Sequence, residues 1–324
     1  MRHIPLAAID DAASAIYAAA VRTPLVRLDL PFALDAVAGP EIYLKMECLQ
    51  PIGSFKLRGA YNAVRQLSPA QLADGVWTVS AGNAAQGVAF AAKIVGAPCA
   101  VMVMDTAPET KVRAIQRLGA TIVRATYDEC SRTVESHGSD RMHGHFVHPF
   151  DDDTFIAGNA TAALEILEDL PDVAAVVTAI GGGGLLAGIS AVMAARCPSA
   201  RIYAAEPETA SPLATSLAAG EPRRYEAWQA SFVDGAGGKS VLPSMWPLLQ
   251  PHVAESIVVS LDDAAAAMKL VAERVHVVIE GAAGTAIAAA LSGRAGTGKI
   301  VAVVSGGNID LSRFSELVSS HAAI

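Results

Sequence analysis

Charge is scarce in this sequence, long apolar runs are missing, and no two cysteines stand close together. Only 17% of the 324 residues are charged against 52% hydrophobic. Most of the chain must therefore be buried, and that much core at this length divides into two domains. Yet apolar segments such as 174–180 and 300–304 fall far short of the roughly 20 residues a membrane-spanning helix needs, which excludes helical insertion. The start, Met1-Arg2-His3-Ile4-Pro5, has no apolar run followed by a small-residue cleavage site, so cytoplasmic residence is the expectation. Cys48, Cys99, Cys130 and Cys197 form no CxxC pair, which argues against a disulfide framework and a structural zinc site and leaves them as buried thiols. A net charge of -8 without a basic stripe gives no footprint for nucleic acid. The expected partner is a small molecule.

What is present is an alternation. Short β-branched runs near 76–79, 99–104, 121–124, 174–180, 201–205, 256–260 and 300–304 are separated by alanine-rich helical segments at 84–95, 111–118, 160–170, 185–196, 262–275 and 281–291. Strands that read as continuous apolar runs between helices imply parallel sheets covered on both faces, an α/β fold. A polar, histidine-rich passage at 135–153 interrupts the pattern and is a candidate domain crossing, and a Pro/Gly-rich passage at 207–247 interrupts it again. There is no internal repeat, and the alanine richness needs only helix propensity to explain it.

In open α/β sheets ligands bind beyond the carboxyl ends of strands, and three such loops stand out. The strand at 174–180 runs into Gly181-Gly182-Gly183-Gly184 and a helix from Leu185. Four glycines cost backbone entropy but let main-chain N–H groups approach an anion at a helix N-terminus, so the loop predicts a phosphate. The strand at 76–79 ends in Ser80-Ala81-Gly82-Asn83, whose neutral donors and helical amides suit a carboxylate. By itself that loop is more simply an N-capped turn. The strand at 300–304 ends in Ser305-Gly306-Gly307-Asn308, where a hydroxyl site and a tight turn are equally good readings. Lys56 is a fourth signal: Gly53 and Ser54 can form the turn and N-cap of a helix through Tyr61, Val64 and Leu67. Lysine in a first turn is disfavoured by the macrodipole, although alone it reads as a solvated surface residue.

Two apparent motifs carry no chemistry. The GxxxxGK spacing at 293–299 lacks the following Ser/Thr and precedes a strand instead of following one. His137, His143, His145 and His148 crowd together without companion ligands at metal spacing and are expected on the surface.

In order and spacing, Ser54-Phe55-Lys56-Leu57-Arg58-Gly59, Ser80-Ala81-Gly82-Asn83, Gly181 to Gly184 and Ser305-Gly306-Gly307-Asn308 resemble the fold-type II pyridoxal-phosphate enzymes. The likeness is to the serine/threonine dehydratase and serine racemase family. It extends to Arg22-Thr23-Pro24-Leu25, Leu44-Lys45-Met46-Glu47, His148-Pro149-Phe150-Asp151-Asp152 and Glu280-Gly281. The resemblance implies a two-domain, three-layer αβα fold like that of the tryptophan synthase β chain. Residues 1–49 and 151–324 would form the large domain, and 50–150 a small mobile domain carrying the Ser80–Asn83 loop. Lys56 would bond covalently to the aldehyde of pyridoxal 5'-phosphate, with Phe55 near the ring. Gly181, Gly182, Gly183, Gly184 and the amide of Leu185 would hold the phosphate, Asn83 the phenolic oxygen, and Ser305 would face the pyridine nitrogen. A neutral hydroxyl there makes a weaker electron sink than a carboxylate would, which suits β-elimination better than transamination.

The implied activity is that of an ammonia-lyase: loss of water from a small β-hydroxy amino acid such as L-threonine or L-serine, giving a 2-oxo acid and ammonia. The substrate carboxylate would dock on Ser80, Ala81, Gly82 and Asn83, and Lys56 would move the Cα proton. Racemases of the family carry a second serine where Ala81 stands, so dehydration is expected over racemisation. Some members bind a divalent cation, for which Glu206 and the Ala210 carbonyl match, but Pro212 stands in place of an Asp ligand. The glycine-rich 233–238 stretch resembles dehydratases of other β-hydroxy amino acids, including those of hydroxyectoine breakdown. A homodimer without a regulatory extension after Ile324 is also implied. Outside this family, a phosphate-binding module using Gly181 to Gly184 alone remains open, but it leaves Lys56 and Ser305 unexplained.

Overall fold

The apolar runs become strands, and their alternating side chains build two cores. A computed structural model describes residues 2–29 and 40–320. In chain order the strands are β1 (Leu25–Arg27), β2 (Glu41–Lys45), β3 (Val76–Val79), β4 (Cys99–Met104), β5 (Thr121–Ala125), β6 (His145–Phe146), β7 (Ala175–Ala179), β8 (Arg201–Pro207), β9 (Val253–Val259) and β10 (Lys299–Val303). They form a six-stranded sheet of order β1-β2-β10-β7-β8-β9 and a four-stranded sheet of order β5-β4-β3-β6. Every pairing is parallel except the edge pair β1 and β2.

The period of two sorts the large sheet. Ala175, Val177, Ile300 and Ala302 join the cluster covered by helices Leu261–Arg274 and Gly281–Leu291. Val176, Val301 and Val303 join the opposite cluster, under helices Asp153–Asp169 and Gly184–Arg196. Each fully buried Val or Ile contributes about 1.5–3 kcal/mol, so both faces must be covered. In the small sheet Val101 and Val103 pack on Ala85, Ala89, Val112 and Ile115, while Val79 and Met102 pack on Cys130. Among the described residues no helix is long and apolar enough to cross a membrane.

Several boundaries differ from expectation for identifiable reasons. The helix expected from 160 begins at Asp153, because the Asp152 side chain caps it by accepting from the Phe155 amide at 2.9 Å. The polar passage before it hides that cap, and also β6. The 207–247 passage contains helices Pro212–Ala219 and Trp246–Leu249, each with proline in its first turn, where a missing N–H costs nothing. The N-cap expected of Ser54 is not there. Phe55 occupies the cap position without a side-chain bond, and Ser54 Oγ is buried with no partner.

The helix Lys56–Arg65 is fixed from two sides. Where it crosses helix Asp153–Asp169 the backbones nearly touch: a Cβ on Gly59 would lie 2.3 Å from the Phe155 ring, and one on Gly158 2.4 Å from Arg58 O. Beside that crossing, four charged side chains are buried together. Arg58 donates Nε and Nη2 to Glu47 at 2.8 and 2.7 Å, and Nη1 and Nη2 to Glu165 at 2.7 and 2.9 Å. Lys45 Nζ donates to Glu165 at 2.5 Å and to Thr23 O at 2.7 Å, and Thr23 Oγ1 donates to Glu47 at 2.6 Å. The charges cancel and nearly every lone pair is used, which is the condition for tolerating buried ions.

Candidate active site

All three strand-end loops connect to the segments around Lys56. Segment 52–56 is stitched to the turn after β10: Phe55 N donates to Ser305 O at 3.0 Å, Gly307 N to Gly53 O at 2.9 Å, and Asn308 Nδ2 to Ile52 O at 2.8 Å. Asn308 Nδ2 also donates to Asn83 Oδ1 at 2.8 Å, which brings in the loop after β3. The third loop arrives through the segment after β6. Lys56 Nζ donates to Pro149 O at 2.5 Å, and the neighbouring Phe150 packs on the glycines after β7. A Cβ on Gly182 would fall 2.1 Å from the Phe150 ring, and one on Gly184 2.8 Å from Phe150 O. Gly183 has φ +93° and caps the helix Gly184–Arg196, a conformation glycine adopts without strain. The first amides of that helix, Leu185 included, have no acceptor in the preceding turn and are available to an anion.

Electrostatics single out two groups. Lys56 is half-buried, its amine between the Phe55 and Phe155 rings at 5.2 and 5.4 Å from their centroids. Desolvation lowers its pKa to about 8, with Glu280 opposing the shift. A sizeable fraction is then the neutral amine, the form that adds to a carbonyl. Glu280 is buried and pushed up to about 7 by burial, against donors from Asn83 and Asn308. Ser305 is buried at the end of β10. Ser80, Ala81, Gly82 and Asn83 are half-buried, and Ser80 Oγ accepts from the Gly82 amide at 3.1 Å, leaving its hydroxyl proton to donate elsewhere.

These residues fit pyridoxal 5'-phosphate. A glycine loop at a helix N-terminus offers amides to an anion, an amine of lowered pKa is linked to it through Pro149 and Phe150, and an unpartnered Ser54 hydroxyl lies next to the β10 turn. Glu280, Pro149, Phe150 and Phe155 escaped the sequence reading as site residues. The motifs His148–Asp152 and Glu280-Gly281 held a signal for three of them, without saying what they touch.

The cation reading for Glu206 and Ala210 does not fit. Glu206 Oε1 accepts from Leu213 N at 2.8 Å, and Oε2 from Ala214 N at 2.8 Å and Ser256 Oγ at 2.6 Å. Its carboxylate caps the helix that Pro212 begins, and burial raises its pKa. A divalent cation would have to displace all three donors. The surface reading of the histidines fails at His148, which is buried. His148 Nδ1 accepts from Asp151 N at 2.7 Å and its Nε2 donates to Val134 O at 3.1 Å, while burial drops its pKa to about 4. His137, His148 and Asp151 bring ligand atoms within 4.8 Å of one another, but both His148 nitrogens are spent on backbone. All four cysteines are free thiols, with Cys48 and Cys130 buried and Cys99 and Cys197 half-exposed.

Comparison with known proteins agrees with this chemistry. The pyridoxal-phosphate dependent enzyme family matches residues 16–306. An L-threonine ammonia-lyase of Thermotoga maritima is 39% identical over 293 residues, covering 88% of this chain and 72% of that protein. The serine racemase of Homo sapiens is 39% identical over 289 residues, covering 86% and 84%. The structure of maize serine racemase superposes with a TM-score of 0.87 at 32% identity, over 98% of each chain.

Proposed function

The chain belongs to the pyridoxal-phosphate dependent enzymes, and on that premise we propose that it removes water from a small β-hydroxy amino acid, releasing a 2-oxo acid and ammonia. Bound in the cleft, the cofactor supplies an electron sink that acidifies the Cα–H bond of an amino acid joined to it. The chain's residues do the rest. The amides of Gly181 to Gly184 and Leu185 would hold the phosphate, and Asn83 would hold the phenolic oxygen. The Ser80–Asn83 loop grips the substrate carboxylate with neutral donors. Lys56 would withdraw the Cα proton from its own face, the β-hydroxyl would take up a proton and leave as water so that the proton count closes, and water would then hydrolyse the released enamine to the 2-oxo acid and ammonia. Ser305 presents a neutral hydroxyl to the ring.

Ala81 is the observation that supports elimination over racemisation, the two activities named among the relatives. Racemisation needs a proton donor on the face opposite Lys56. The resemblance places a serine there in racemases, and here a methyl group occupies the position. A keto-acid and ammonia assay across serine, threonine, phenylserine and hydroxyaspartate, with chiral analysis of recovered substrate, tests the reading. We expect ammonia release with little D-amino acid. Ala81→Ser should raise the racemisation-to-elimination ratio about tenfold, less than the roughly hundredfold or more that a fully positioned acid contributes. Efficient D-serine formation by the unaltered protein would overturn the assignment.

The division into residues 1–49 with 151–324 and residues 50–150 is supported by the sheets, since each keeps to one of those ranges. Assembly as a homodimer is supported by exposed apolar surface on Tyr17, Val21 and Leu49, with Val21 and the neighbour of Leu49, Gln50, bonded to each other. Sedimentation velocity giving only the monomer mass at micromolar concentration would refute it.

A further inference from the structure

Glu280 stands at the junction of the site loops without an assigned role. It immediately precedes the helix Gly281–Leu291, and its backbone N donates to Gly306 O at 3.1 Å. Its carboxylate accepts from Asn83 Nδ2 at 2.9 and 3.1 Å and from the Asn308 amide at 3.2 Å. Gly306 packs so closely that a Cβ there would lie 2.5 Å from Oε1. One carboxylate thus ties the loop after β3 to the turn after β10, and that turn is the one bonded to segment 52–55 beside Lys56.

The burial of this carboxylate needs an explanation. Among the described residues no cation forms an ion pair with it. The ionisable groups whose fields reach it or the lysine are Lys56, Lys111, Asp234, Cys48 and His148. Lys111 and Asp234 are paired with each other, 30% and 55% exposed, so solvent screens both. Cys48 has its thiol pushed up to about 12 and stays neutral, and His148 is neutral above about pH 4. Glu280 is the one carboxylate whose charge registers at Lys56. Burying a carboxylate for structure alone is costly, and an apolar or amide residue would hold these loops at lower expense. A lysine that must accept a proton inside a desolvated cleft, however, is favoured by a carboxylate close by, whose charge the proton arriving at the lysine in turn favours.

We propose that Glu280 is a positioning residue for the elimination: it holds the Asn83 amide toward the cofactor and provides the counter-charge for the Lys56 nitrogen. The inference rests on the dehydratase reading for its reaction. Its physical content, coupling between Glu280 and the nitrogen of Lys56, can be read without turnover. The geometric link is the turn after β10: Glu280 packs on Gly306, which bridges to Ser54, two residues before Lys56.

Glu280→Gln keeps the shape and removes the charge. On the cofactor-loaded enzyme, the pH midpoint of the bound cofactor's absorbance should move by about one unit or vanish, since one unit is the scale of a single lost charge partner. kcat should fall about tenfold or more, with KM changed by no more than about threefold, because the group does not touch the substrate. An unchanged spectral midpoint would overturn the proposal, even if kcat fell, since a merely structural lesion lowers rate without moving the titration. If Glu280→Gln fails to fold, Glu280→Asp carries the test. It retains the charge and should keep the midpoint within about half a unit, and a midpoint displaced by a full unit would count against the proposal. Should the unaltered enzyme turn over no hydroxy amino acid, the dehydratase reading fails while the spectral result still judges Glu280.

Discussion

Lys56→Ala should lose at least about 10³-fold in turnover while the protein remains folded, because both covalent attachment and Cα-proton transfer are lost together. The structure gives little reason for a stability cost. Lys56 heads its helix, where the macrodipole disfavours a cation, and its amine donates to Pro149 O. Desolvation already holds its pKa down to about 8, so the folded state strains to keep it charged. Far-UV circular dichroism and the melting temperature should therefore stay near the parent's or rise slightly, the pattern expected where activity and stability trade off. Borohydride reduction followed by mass spectrometry should fix the cofactor to the parent but not to the variant. Turnover within tenfold of the parent would remove Lys56 from the mechanism.

The second large effect lies two residues away and concerns stability. Arg58→Ala should cost about 3–5 kcal/mol, the range for breaking a buried ion pair by removing one partner. It leaves Glu47 and Glu165, 0% and 2% exposed, with Lys45 as the only remaining cation. The pH dependence has a definite sign. Burial by itself would raise the Glu165 pKa, but Arg58 and Lys45 outweigh it and hold the carboxyl below its ordinary value. A depressed folded-state pKa gives stability that is present above the unfolded value, about 4.3, and is lost as pH falls through the folded one. Without Arg58 the burial effect dominates and protonation relieves the stranded carboxylate. The difference between variant and parent in urea denaturation should then be largest near neutral pH and shrink toward pH 4. A loss below about 1 kcal/mol at neutral pH would mean that the cluster is not the buried network described here.

Arg58 also shows why some sequence motifs were visible but mute. Thr23 in Arg22–Leu25, Lys45 and Glu47 in Leu44–Glu47, and Arg58 in Ser54–Gly59 looked like separate family likenesses scattered over 36 positions. They are one hydrogen-bonded cluster, completed by Glu165 from a helix more than a hundred residues on. No local period reports such a cluster, because its members meet only after two helices cross at Gly59 and Gly158. His148 misled for the same reason: a histidine among polar neighbours looks solvated until its two nitrogens are seen to be taken by Asp151 N and Val134 O.

What the sequence determined alone was everything governed by neighbours along the chain. Apolar runs alternating with alanine-rich helices dictated parallel sheets, since a strand buried on both faces must be apolar throughout. Glycine at four successive positions dictated a close backbone approach at a helix end, since only a missing Cβ permits it. The order of motifs pointed to pyridoxal phosphate and to Lys56, and Ala81 pointed away from racemisation by lacking a proton to give. Tertiary structure alone decided what depends on meeting through space. It replaced the Ser54 cap with an unbonded hydroxyl and closed Glu206 to a cation with amides from the next helix. It also placed Glu280 against Asn83 and Asn308, at sequence separations of 197 and 28. The physical reason is that hydrogen bonds and burial set how a polar group behaves, and neither is written in the local pattern: Ser54 is buried without a partner, Glu206 is taken by a helix start and by Ser256, and the partners of Glu280 come from distant segments.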